Sequence, residues 1–193
     1  MCGLVGLLQT AKARADRDAV EKMASAIVHR GPDDSDVWTE GPIGLDHRRL
    51  SILDLSEVGS QPMVTADERF VMVYNGEIYN FPELKLELEA KGTTFRSRTD
   101  AEVLLYGYAL WGEKILSRLN GMFAFAIWDR RDKMLFLARD RYGVKPLYHS
   151  RAGGAFVFSS EVKAFFDAPG FELDVCREGL VEYFGFQNFF TDR

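Results

Sequence analysis

Little in this chain of 193 residues could brace it covalently or through a metal. It has two cysteines, Cys2 and Cys176. One pair separated by almost the whole chain makes no disulfide framework, which points to a reducing compartment, the cytoplasm. Three histidines, His29, His47 and His149, are scattered, and no Cys or His spacing suits a metal site. Long apolar runs are absent. The apolar start is short, broken by Gly3 and Gly6, and has no basic region ahead of it. It reads as neither a signal peptide nor a membrane span. No run of Lys and Arg forms a patch, and a net charge of −5 argues against nonspecific nucleic-acid binding. Repeats, linkers and low-complexity segments are also missing. What remains, with 47% apolar and 27% charged residues, is an ordinary globular composition. The length suffices for one domain with a sizeable core.

Periodicity supplies the elements. Gly3 to Leu8 reads as a buried strand. Residues 17–28 read as a helix, because Val20, Met23, Ala24 and Ile27 share a face. His29 to Asp34 is a loop with strong breakers. Strands are expected at 36–40 and 43–49 around a Gly41-Pro42 turn, and at 70–74. Helices are expected at 81–90 and 101–111. Residues 122–128 and 134–138 form a predicted hairpin across Asp129 to Asp132. A second joins 146–149 to 155–159 across Arg151 to Gly154. In the first hairpin Phe123, Phe125 and Ile127 point one way, and Met122, Ala124, Ala126 and Trp128 the other. Both faces are apolar, so both need covering. Two sheets packed together, each roofed by helices, satisfy this in the layer order α/β/β/α. Residues 178–190 carry Leu180, Val181, Tyr183, Phe184, Phe186, Phe189 and Phe190. So apolar a tail either folds back on the core or meets something else.

Four places could carry chemistry. With Met1 removed, Cys2 is the amino terminus and carries both a thiol and a free α-amine. The thiolate is the reactive form, and an α-amine with a pKa of about 7.7–8.0 can accept its proton. Nucleophile and base are then joined in one residue. The plainer reading of Cys2 is a small buried apolar residue. Arg49, in His47-Arg48-Arg49, could hold a carboxylate with two parallel hydrogen bonds, or merely lie solvated on the surface. Asn75-Gly76 is first of all a turn signal. It could also offer an amide side chain beside an unobstructed backbone N–H, the two donors of an oxyanion hole. In Arg98-Thr99-Asp100, Thr99 or Asp100 can cap a helix, while the Asp100 carboxylate could instead take a ligand ammonium. A cation and an anion for the two ends of an amino acid, with a nucleophile, a base and an oxyanion hole, fit cleavage of the glutamine side-chain amide. His29 and His47 are expected to stabilise loops. Cys176 is expected to have no catalytic duty. Asp33 and Asp34 suit a turn better than a metal.

The motifs Met-Cys-Gly at 1–3, HRGPDD at 29–34, HRRLSILDLS at 47–56, QP at 61–62, YNGEIYN at 74–80, TDAEVLL at 99–105, LNGMFAFAIWD at 119–129, ARDRYGVKPLY at 138–148 and SSEVKAF at 159–165 resemble, in order, the glutaminase domain of class II glutamine amidotransferases. They are most similar to the asparagine synthetase branch. The resemblance implies an α+β, four-layer α/β/β/α sandwich of two mostly antiparallel sheets, the Ntn-hydrolase type. It implies that Cys2 attacks the amide carbon of glutamine and that its own amine is the base. Asn75 and Gly76 would form the oxyanion hole, and Arg49 would bind the α-carboxylate. Asp100 with Glu77 would bind the α-ammonium, and backbone groups around Ile52 and Leu53 would line the pocket. Hydrolysis of the thioester would yield glutamate and ammonia.

Family members continue into an ATP-pyrophosphatase synthetase domain with a loop of the form Ser-Gly-Gly-x-Asp-Ser. No such loop occurs here. The expected division is a glutaminase domain at 1–170 and the start of a connection at 171–193. No cofactor is expected in the glutaminase domain, since ATP and Mg²⁺ belong to the synthetase part. The expected partners are glutamine and that synthetase domain, attached or separate, and a homodimer is one assembly the resemblance allows. Acceptors in this branch include sugars and peptides as well as aspartate. A catalytically silent docking domain is the contrasting reading.

Overall fold

The computed structural model describes residues 2–10, 13–50 and 59–188. Among these residues nine strands form two sheets in which every pairing is antiparallel. The first sheet contains β1 (Gly3–Gln9), β2 (Asp34–Glu40), β3 (Ile43–Arg49), β8 (Tyr148–Ala152) and β9 (Ala155–Ser159), in the order β2-β3-β1-β9-β8. The second contains β4 (Met63–Val64), β5 (Phe70–Ile78), β6 (Gly121–Asp129) and β7 (Met134–Arg139), in sequence order.

Alternation along the strands divides the core into three apolar layers. Between the sheets lie Leu4, Ile43, Leu45 and Phe158 from the first and Val71, Val73, Ala124, Ala126 and Trp128 from the second. The sheets come close because small residues meet large ones. A Cβ on Gly6 would sit 2.0 Å from the Phe158 ring, so the ring occupies the space glycine leaves. Outside the first sheet, α1 (Arg17–Ser25) buries Val20, Met23 and Ala24 against Val5, Leu7 and Val157. Outside the second, α2 (Phe81–Ala90) and α3 (Asp100–Trp111) lay Leu84, Leu88, Leu104 and Tyr108 over Met72, Phe125 and Ile127. Burying each such side chain fully stabilises the fold by about 1.5–3 kcal/mol. The order of layers is α/β/β/α, the expected one, and it covers both apolar faces of the 122–128 strand.

Several boundaries differ from the sequence expectation. The first helix stops at Ser25 and gives way to a 3-10 turn, Val28–Arg30. A Cβ on Gly31 would meet the Arg48 backbone at 2.4 Å, so the chain must turn there to pass β3. Strand β2 starts at Asp34, a residue the sequence assigns to a turn. Strand β5 does not end before Asn75-Gly76 but runs through to Ile78, paired with β6. The β8–β9 turn is tighter than expected, with only Gly153 and Gly154 at its tip, at φ of +53° and +83°. Glycine alone takes such angles without strain.

Among the described residues the tail does not fold back. Packing on the core continues through the 3-10 turn Val162–Asp167 and Phe171. Beyond it, α4 (Arg177–Phe186) buries no residue, and Val181, Phe184 and Phe186 are each more than two-thirds exposed. Cys176 caps this helix, its Sγ accepting from the Gly179 N–H at 3.3 Å. No helix is long and apolar enough to cross a membrane among the described residues.

Candidate active site

The inter-sheet faces of β3 and β5 change character along their length. On β3 the residues sharing the face of Ile43 and Leu45 are His47 and Arg49. On β5 those sharing the face of Val71 and Val73 are Asn75 and Glu77. The same alternation on β1 puts Cys2 on the face of Leu4. Register carries Cys2 to the same end, because Gly3 pairs with Arg48. At that end the Leu50 N–H donates to Cys2 Sγ (3.3 Å), and the thiol reaches the Leu50 carbonyl at 3.6 Å.

Open edge geometry supplies donors. Strand β4 pairs only with Val71 and Met72 of β5, so the edge beyond is unoccupied by strand. There the Tyr74 N–H donates to Gln61 Oε1 (2.6 Å) and the Ile78 N–H to Asp100 Oδ2 (2.9 Å). Backbone groups alternate sides along a strand, so the Gly76 N–H points out of the same edge, between those two. Glycine is needed here, because a Cβ would lie 2.5 Å from the Met122 carbonyl oxygen and 2.8 Å from Phe123 Cα. Beside it the Asn75 side chain is 2% exposed, and its Nδ2 is buried with no hydrogen-bond partner. A buried donor left unpaired costs about 1–3 kcal/mol.

Charge of both signs converges at this end. Arg49 is buried. Its Nη1 donates to Ser60 Oγ (3.2 Å), and Ser60 donates to Asp34 Oδ2 (2.8 Å). A Cβ on Gly59 would stand 2.7 Å from Arg49 Nη2 and 3.4 Å from Thr99 Cγ2. The guanidinium therefore lies close to the start of α3, which Thr99 caps by accepting from the Glu102 N–H. Asp100 is the first residue of that helix. Its Oδ2 accepts from the Tyr74 hydroxyl (2.6 Å) as well as from Ile78. Burial raises the Asp100 pKa, and the hydrogen bonds from Tyr74 and Ile78 offset this only in part. Burial also pushes the Tyr74 phenol well above its usual value, reinforced by the charges of Asp100, Glu77 and Cys2. Glu77 is half-buried at the same end of β5.

The structure thus brings Cys2, Arg49, Asn75, Gly76, Glu77 and Asp100 to one end of the sandwich. Ile52 and Leu53 lie outside the described residues. Three expectations need correction. His47 stabilises no loop. It is buried between the sheets, where burial first and Arg49 next lower its pKa to about 4, against the opposing pull of the Tyr74 backbone and Asp34. Asp34 is no turn residue but the far end of the Arg49–Ser60 chain, and Asn75-Gly76 is no turn. Among the described residues no three His, Cys, Asp or Glu side chains cluster as metal ligands do. Sequence reasoning missed Leu50, Ser60, Gln61 and Tyr74 as supports. Only the QP and YNG motifs hinted at the last two.

The chain is similar to known proteins. A family model described as a glutamine amidotransferase domain matches residues 1–193. Asparagine synthetase [glutamine-hydrolyzing] 3 of Bacillus subtilis (strain 168) is 42% identical over 188 residues, covering 96% of this chain and 30% of that protein. Asparagine synthetase [glutamine-hydrolyzing] 1 of the same organism is 42% identical over 190 residues, covering 97% of this chain and 30% of its own length. The chain therefore spans about 30% of the length of these relatives. Among solved structures, glutamine phosphoribosylpyrophosphate amidotransferase from B. subtilis, complexed with ADP and GMP, superposes with a TM-score of 0.73 at 22% identity. The match covers 86% of this chain and 43% of that one, and it speaks for the fold alone. Matched along its full length by the family model, with its fold shared by a solved amidotransferase, this chain belongs to the glutamine amidotransferase domain family.

Proposed function

We propose that this chain hydrolyses the side-chain amide of glutamine through a Cys2 thioester. The observation that carries the reading is an unpartnered donor beside a backbone N–H on β5. Asn75 Nδ2 is buried and unpartnered, and the Gly76 N–H points out of the same open edge, at the end of the sandwich that holds the Cys2 thiol. Orphaned donors of this kind destabilise the resting fold, but they stabilise an oxygen that becomes anionic under attack.

With Met1 removed, the Cys2 α-amine takes the thiol proton as sulfur bonds to the amide carbon. The carbonyl oxygen, now negative, receives the Asn75 and Gly76 N–H groups. Collapse of this adduct breaks the C–N bond. The proton held by the amine passes to the departing nitrogen, which leaves as ammonia. Water, deprotonated by the same amine, then attacks the thioester carbon, releasing glutamate and restoring the thiol. Arg49 would hold the substrate α-carboxylate. Asp100 and Glu77 would hold the α-ammonium, and an arriving cation favours the ionised form that burial disfavours at Asp100. Ile52 and Leu53 would contribute backbone contacts.

The ammonia would feed an ATP-dependent amidation of the asparagine-synthetase type, with ATP and Mg²⁺ bound outside this chain. The names of the relatives and their greater length support this. Processed protein is the test. Wild type freed of Met1 should release ammonia from glutamine. Cys2→Ala should fall to background, a loss of at least about a thousandfold, at an unchanged melting temperature. The same protein with its α-amine permanently acetylated should also be inactive. Turnover by either at the wild-type rate would sink the assignment.

A further inference from the structure

The nucleophile is held by more than its own strand. Cys2 precedes β1, and terminal residues fray unless tied down. Its carbonyl oxygen accepts from Arg30 Nε at 3.0 Å. The Arg30 stem crosses Gly3, where a Cβ would come within 3.3 Å of Arg30 Cδ and 2.8 Å of Ile27 Cδ1. The Arg30 side chain is only 9% exposed, and its Nη2 is buried without any partner. A buried cation needs a counter-charge, and among the described residues Glu161 supplies it, its Oε1 3.0 Å from Nη1. Glu161 is itself fixed. Its own N–H donates to Ser159 Oγ (3.2 Å), and Ser160 just before it exchanges hydrogen bonds with Leu4 in both directions (3.1 and 2.9 Å). His29 also reaches Glu161 Oε1 (2.9 Å), and Lys163 reaches Oε2 (3.3 Å).

We propose that Glu161 is a positioning residue for the Cys2 nucleophile, acting through Arg30. The inference rests on the glutaminase reading above and adds a residue to it. Fixing the Cys2 carbonyl fixes rotation about its Cα–C bond, and with it the directions of the amine and the thiol. Without the Glu161 charge the guanidinium has reason to leave for solvent, and the carbonyl is released. The substrate-binding groups Arg49, Asp100 and Glu77 stand on other elements, so the loss should fall on turnover and not on glutamine affinity.

Glu161→Gln keeps the shape and removes the charge. In the processed protein kcat for glutamine hydrolysis should drop on the order of tenfold or more, with KM unchanged and the fold retained by circular dichroism. Alkylation of Cys2 by iodoacetamide, followed on its own peptide by mass spectrometry, should show an altered rate-versus-pH profile, which a purely structural role would not move. Lys163→Ala removes a partner of Glu161 that does not touch Arg30, and should match wild type in every measurement. An unchanged kcat and alkylation profile in folded Glu161→Gln overturns the proposal, as does a raised KM with kcat intact. If the Gln variant does not fold, Glu161→Asp, which keeps the charge but shortens its reach, is judged by the same criteria. A wild type that alkylates at Cys2 but never hydrolyses glutamine would defeat the glutaminase reading instead. The alkylation profile alone would then decide the role of Glu161.

Discussion

Both ends of the inter-sheet layer are built from the same strands with the same alternation, and they behave in opposite ways. At one end Ile43, Leu45, Val71, Val73 and Ala126 are all fully buried. The orphaned polar atom there is Trp128 Nε1. At the other end the same side of each strand carries His47, Arg49, Asn75 and Glu77, with Cys2 beside them. The buried Nδ2 of Asn75 has no partner, and Asp100 at the edge carries a raised pKa. The first end supplies cohesion. The second holds unsatisfied groups in place at the expense of the first, as strained and under-bonded sites in enzymes do.

That contrast can be broken from the polar side. Asn75→Ala should lower kcat by about 10²–10³-fold, the usual loss for one oxyanion donor. Stability by chemical denaturation should be equal to or above wild type, since a buried orphan is removed. A destabilised variant with normal turnover would reverse the roles assigned to the two ends. Arg49→Ala should mainly raise KM for glutamine, weakening binding by about 2–5 kcal/mol. An unchanged KM would remove Arg49 from the ligand site. From the apolar side, Leu45→Ala should cost about 2–5 kcal/mol of stability, while kcat per folded molecule stays at the wild-type value. A kcat loss matching the Asn75 variant would show that the two ends are not separable.

The smallest effect sharpens the comparison within β3. Asp46 and His47 are adjacent and face opposite sides of the first sheet. Burial raises the Asp46 pKa to about 7, against Arg48 and Ser35, and lowers that of His47 to about 4. From about pH 4 to 6.5 the unfolded chain holds a proton on this histidine that the folded one does not, so His47 makes stability rise with pH. Over about pH 4 to 7 the folded chain holds a proton on this aspartate that the unfolded one does not, so Asp46 makes stability fall. Each group contributes up to about 1.4 kcal/mol per pH unit, and they oppose one another. Asp46→Asn should leave a rising slope in that window, and His47→Gln a falling one, in urea denaturation series. Wild-type slopes in both variants would mean that neither group titrates in this way.

Much of this was legible beforehand. The strand at 122–128, apolar on both faces, called for cover on both sides, and the observed layers supply it with a second sheet and helices. The helix at 81–90 keeps its bounds, because Asn80-Phe81-Pro82 and Lys91-Gly92 punctuate it. The chemistry-bearing residues Cys2, Arg49, Asn75 and Asp100 were readable by type and motif. Their supports were less so. Ser60 serves Arg49 from 11 residues away, Gln61 serves Tyr74 from 13, and Glu161 serves Arg30 from 131. Nothing local in a sequence marks such pairs. His47 and Asn75-Gly76 were misread for a related reason. A turn-forming dipeptide and a polar histidine look local, but strand pairing with β6 and β1 overrode that preference.

Residue order along the chain was enough to specify the alternation, the layers and the chemical types available, because these depend on periodicity and on side-chain chemistry. Which groups face each other, which donor on β5 stays unused and which carboxylate neutralises Arg30 arise only when distant strands settle into register. Those relations are long-range, and the hydrogen bonds that define them form between segments that share no local pattern.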